Sequence, residues 1–81
     1  MTDKNRMDEP YEKFANAIIL SAVADYRAAL KRIKRNPQNK VAIDEALQIE
    51  KFFRSSCYQQ LTSIDGEFLI RRLQDEIRQS E

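Results

Sequence analysis

An all-α fold, a bundle of three helices, is what this sequence predicts, and three observations carry that reading. The chain holds one glycine and two prolines, so little interrupts a helix once it has begun. Nowhere do β-branched residues alternate with polar ones over the length of a strand. Apolar residues recur instead three and four positions apart, the spacing that lines up one face of a helix.

Residues 1–7 are polar and without period, which predicts a flexible N-terminal tail ahead of a single helical domain over 8–81. Asp8 suits the N-cap of the first helix, with Glu9 and Pro10 in its first turn, where a carboxylate favours the helix dipole and a missing N–H costs nothing. The helix then runs to about Arg35. Its main stripe is Tyr11, Phe14, Ala15, Ile18, Ala22, Tyr26, Ala29 and Ile33, with Ile19, Val23 and Leu30 alongside. Asn36-Pro37 ends it, because the residue before a proline is pushed out of the helical region.

The second helix restarts between Pro37 and Lys40, capped by Asn36 or Asn39, with Ala42, Ala46, Ile49, Phe53 and Cys57 on one stripe. Ser55-Ser56 leaves two options open. Serines prefer caps to helix interiors, so either one rod continues or a short separate helix of about residues 56–62 follows a break. Asp65 is the expected N-cap of the last helix, about 66–79, whose buried stripe is Leu69, Ile70, Leu73 and Ile77. On its outer side Glu67–Arg71, Arg71–Asp75 and Arg72–Glu76 stand at ion-pair spacing.

Length and charge narrow the function. An 81-residue chain buries only about 60–65% of its unfolded surface, so association with a second copy is an expected source of further burial. A formal net charge of +1 supplies no global field toward nucleic acid or anionic membrane, and any such binding needs a local patch. The single cysteine, Cys57, excludes an internal disulfide; its place on the apolar stripe predicts a buried, unreactive thiol. The first 20 residues have no signal-peptide pattern, and the longest apolar run, Ala17 to Leu20, is far short of a span. The expected location is the cytoplasm.

Three features are candidates for binding. The first helix is apolar on two sides: opposite the main stripe lie Ala17, Leu20, Ala24 and Ala28, a row that either completes a wrapped core or closes against another chain. Its end carries a basic patch, Arg27, Lys31, Arg32, Lys34 and Arg35 with Lys40 beyond; such cations offset the dipole of the helix that bears them or gather a phosphate or an acidic partner. Phe52 stands off the second helix's stripe and is the candidate for an exposed or interface aromatic anchor.

Nothing in the sequence assembles a catalytic or metal centre. Histidine is absent, Asp44-Glu45 and Asp75-Glu76 are adjacent rather than facing pairs, and one glycine builds no phosphate-cradling loop. No cofactor and no enzymatic activity is expected.

The strings YEKFANAIILSAVADYRAAL (11–30), RNPQNK (35–40), IEKFFRS (49–55) and LTSIDGEFLIRRL (61–73) resemble a group of small proteins encoded in prophages and mobile elements of Firmicutes. Cys57 departs from that group, which carries a bulky aromatic there. The resemblance implies a setting rather than a chemistry: an accessory protein that binds and modulates or inhibits a host protein complex, including a defence complex in the manner of an anti-CRISPR. Two alternatives stand beside it. One is a helical nucleic-acid-binding regulator using the segment after Ser55-Ser56, not favoured because FRSSCYQQL (53–61) offers only Arg54 as a cation. The other is an oligomeric sponge for nucleotide signals.

Overall fold

The computed structural model describes residues 2–80 and, from residue 11 onward, their side chains. Four helices follow one another: α1 (Thr2–Arg35), α2 (Lys40–Phe53), α3 (Ser56–Leu61) and α4 (Gly66–Gln79). No strand occurs among the described residues. The all-α class stands, while the number of helices is four rather than three.

At about 1.5 Å per residue the 34 residues of α1 make a rod of about 51 Å, and the long axis of the molecule measures 53 Å. The other helices pack along this rod. The described helix begins at Thr2, so Asp8 lies within it rather than capping it, and the backbone of residues 2–7 is helical where a tail was expected. Lys4, Arg6, Met7 and Glu9 are good helix formers, and Pro10 forgoes a single bond toward the carbonyl of Arg6.

After Arg35 the Asn36 side chain accepts from the Gln38 amide at 3.1 Å, making the tight turn that Pro37 favours. Of the two candidate caps for α2, Asn39 takes the role, its Oδ1 accepting from the Ala42 N–H at 3.1 Å. At the far end of α2 the backbone breaks, realising the split option at Ser55. The Ser55 hydroxyl donates to the Phe52 carbonyl at 2.7 Å and accepts from the Tyr58 N–H at 3.2 Å. One side chain thereby adds a second donor to the Phe52 carbonyl, which already accepts from the Ser55 N–H at 3.0 Å, and satisfies an orphan amide of α3, which stabilises the break.

The break overturns the expectation for Cys57. A continuous helix would carry the Phe53 stripe on to position 57, but the extended backbone at Ser55 resets the phase, and Tyr58 enters the core while Cys57 is exposed. Asp65 stands at the N-cap of α4 as predicted, although its side chain makes no capping bond. Gly66 opens that helix against the carbonyl of Phe53, so close that a Cβ at this position would run into it.

The core gathers Val23, Tyr26, Ala29, Ala46, Phe53, Tyr58, Ile70 and Leu73. Its aromatic centre is Phe53, meeting Tyr26 and Tyr58 edge to face with ring centroids 5.8 and 5.6 Å apart. The stripe predicted for α4 is confirmed: Ile70, Leu73 and Ile77 are buried and Leu69 packs against the cluster. On α1 the buried face is rotated from the prediction toward Val23. Ala15, Val23, Tyr26 and Ala29 are inside, whereas Tyr11 and Phe14 are exposed, because α2 and α4 cover the second half of the rod and only the six-residue α3 accompanies the first.

Candidate functional site

Ala17, Leu20, Ala24 and Ala28 are all exposed. At 100° per residue they fall within roughly 80° of one another and point away from Ala15, Val23, Tyr26 and Ala29. Leu20 and Phe14 are each 66% exposed, far above the burial usual for such residues in a core, and stand above the flush alanines as two apolar projections. Sequence periodicity had placed Phe14 in the core; in the structure it borders the outer face and adds to it.

Phe52 corrects the expectation of an exposed anchor. It is half-buried, stacked edge to face on Tyr58 with centroids 5.8 Å apart and tilted against Phe53. The break at Ser55 is what turns Tyr58 onto its ring. With Ile18, Ala22 and Ile49, Phe52 forms the apolar floor of an open groove of about 690 Å³ between α1 and α2, edged by Asp25, Arg32 and Glu45.

The basic patch is largely dispersed into the fold. Arg27 forms a bidentate pair with Glu76 of α4, at 2.8 and 3.1 Å, and Arg32 reaches Glu45 of α2 at 3.0 Å. Lys34 donates to the carbonyls of Ile77, at 2.9 Å, and Ser80, so it caps the C-terminus of α4 rather than serving only its own helix. Lys31 and Arg35 make no ion pair among the described residues and, like Lys40, are exposed. Arg27, Lys31, Arg32, Lys34, Arg35 and Lys40 therefore do not act as one cluster.

A second polar system joins the helices near the α2–α3 break. The buried Tyr26 hydroxyl donates to Glu50 at 2.6 Å and accepts from Gln74 at 3.1 Å, and burial, reinforced by Glu50, holds its pKa well above the ordinary tyrosine value. Arg54 pairs with Glu67 at the start of α4 and approaches Glu50 at 3.5 Å. The hydrogen bond from Arg54 lowers the Glu67 carboxyl below the usual range, as Arg27 does for Glu76. The expected pairs Glu67–Arg71 and Arg72–Glu76 do not form, because both carboxylates reach across to another helix; Asp75 pairs with Arg78 instead of Arg71. Sequence spacing shows pairs within a helix and is silent on these crossings.

Among the described residues no group of three or more acidic or cysteine side chains gathers in a geometry for a metal, and no helix is long and apolar enough to cross a membrane. No family profile, curated protein or solved structure matches the chain.

Proposed function

We propose that this protein is a non-catalytic interaction protein that docks on a host protein complex through the outer face of α1 and acts by occupying that complex's surface. The carrying observation is the pair Phe14 and Leu20, two large apolar side chains each 66% exposed on one side of a helix whose other side already holds the core. Removing the exposed two-thirds of each from water is worth about 1–2 kcal/mol, and the alanines between and beyond them let a second backbone approach. The resemblance to prophage-encoded proteins supports a host complex, a defence complex among them, as the target.

The nucleic-acid reading draws less support. The segment after the Ser55 break is the six-residue α3, SCYQQL, which contains no cation and commits Tyr58 to the core, and Arg54 before it is paired with Glu67. A nucleotide sponge would need Arg27, Arg32 and Lys34 free, and all three are engaged within the chain.

A photo-crosslinking residue placed at position 24 in the bacterial host tests the docking reading, with exposed Leu47 of α2 as the control position. The expected result is a defined product of heteromeric mass at 24 and none at 47. Equal capture at both positions, or none at 24, rejects it.

A further inference from the structure

We propose that the partner helix seated on the outer face of α1 is amphipathic and flanked by carboxylates, and that it belongs to another protein rather than to a second copy of this chain; the inference rests on the docking reading above. The half of α1 that faces away from the core carries mainly positive charge. Over residues 11–35, a sector of roughly 140° centred on Ala17 and Ala24 contains Lys13, Arg27, Lys31, Arg32 and Arg35 and no carboxylate. Glu12 lies well outside that sector, while the exposed Asp25 stands about 20° beyond its edge, where it lines the α1–α2 groove together with Ala28 and Arg32. Arg27 and Arg32, at its margins, are held by Glu76 and Glu45. Lys13 remains exposed toward one end of the apolar row, and Lys31 and Arg35 toward the other.

A row whose two ends carry only cations, Lys13 at one and Lys31 and Arg35 at the other, matches itself poorly. A two-fold contact sets the same patch against itself. Antiparallel crossing near Ala24 brings Lys13 toward Arg35, and parallel pairing brings Lys31 toward Lys31, so either arrangement opposes like charges across an interface. The homo-oligomer expected from the length of the chain therefore has an electrostatic cost on this face that an acidic partner turns into attraction. Nor does the row suit a phosphate backbone, because its centre, Ala17, Leu20, Ala24 and Ala28, offers no donor. The seam from Phe14 to Ala28 is about 21 Å long at 1.5 Å per residue, the reach of a helix of about 14 residues. Small or apolar residues three and four apart would meet Leu20 and the alanines, with Asp or Glu toward both ends to meet the cations.

The test uses two synthetic helical peptides of equal length and identical Leu/Ala seam, one flanked by glutamates and one by lysines, titrated into isotopically labelled protein while amide shifts are followed. The glutamate peptide is expected to shift the amides around Ala17, Leu20, Ala24 and Ala28 and to bind at least tenfold more tightly than the lysine peptide. Its advantage should shrink as salt is raised. Lys31→Glu with Arg35→Glu should reverse the preference, and Leu20→Glu with Ala24→Glu should abolish binding while circular dichroism stays helical, since both positions are exposed. Equal binding of the two peptides, binding of neither, shifts confined to the Phe52 groove, or stronger binding of a DNA duplex at the same amides overturns the proposal. So does concentration-dependent shifting of these amides in the protein alone, which identifies a second copy as the occupant. If position 24 crosslinks a host protein while the peptides bind alike, docking stands and the acidic partner falls; if position 24 captures nothing, the docking reading itself falls.

Discussion

The hydroxyl of Tyr26 lies 2.6 Å from Oε2 of Glu50, and through the same oxygen, 3.1 Å from Nε2 of Gln74, α1 is tied to both α2 and α4. The phenol of Tyr58 is as deeply buried, yet its oxygen has no hydrogen-bond partner among the described residues. The two rings touch the same Phe53 and should answer one substitution differently. Tyr26→Phe breaks two hydrogen bonds and is expected to destabilise the fold by about 1–2 kcal/mol, whereas Tyr58→Phe removes an unmatched polar atom and should be neutral or stabilising. Urea unfolding midpoints of the two variants, at unchanged slope, check the pair; a larger loss at Tyr58 would contradict it.

Gly66→Ala tests the closeness of α4 to the end of α2. In an open helix position this change stabilises by about 0.5–1 kcal/mol. Here the added methyl meets the Phe53 carbonyl, a backbone atom that no rotamer change can move. The expected result is a loss of about 1–3 kcal/mol, read as a lower thermal midpoint.

Stability should fall in acid through Glu67 and Glu76. Arg54 and Arg27 hold these carboxyls below the ordinary value. A depressed carboxyl contributes stability that is fully present above its unfolded value of about 4.3 and is lost as the pH drops through the lower folded value. Both pairs are exposed at the surface, so salt weakens the effect. Chemical denaturation between pH 2 and 6 should show the decline, and Arg27→Gln with Arg54→Gln should flatten it in low salt.

Cys57 should react with a thiol reagent in the folded protein at a rate that native-state stability does not limit, since the residue is exposed. Labelling that required denaturant would place the thiol inside and would restore the continuous second helix.

Helices were legible in the sequence wherever one partner surface ran the length of an element. α4 is covered evenly, and its periodicity named Ile70, Leu73 and Ile77 correctly. α1 is not: the same three-and-four spacing runs through Phe14 and Tyr26, but only Tyr26 meets neighbours large enough to bury it. Which apolar position is inside depends on where the other helices end, and spacing does not encode that. Position 57 shows a related limit. Ser55 was readable as a cap, yet the rotation it imposes on the next turn, which exchanges Cys57 for Tyr58, follows from the extended backbone at that residue. The outer row of α1 was visible as a second apolar side. Which of its cations remain free, Lys13, Lys31 and Arg35, became visible only once Arg27 and Arg32 were seen to reach Glu76 and Glu45 at its margins.

The unequal cover of α1 divides that helix energetically. From Ala22 to Ile33 its inner side is locked between the two 14-residue helices, and Lys34 ties its end to the last carbonyls of α4. Over the first turns from Tyr11, ahead of Ile18, the cover is α3, with the Tyr11 hydroxyl donating to the Gln60 carbonyl at a long 3.4 Å. Amide protons in the second half should therefore exchange only when the whole molecule unfolds, and those of the first half through cheaper local openings that leave the core closed. A partner settling on Phe14 and Leu20 would straddle that boundary, and the protection it adds would appear on the early turns of the rod, where the isolated chain has least.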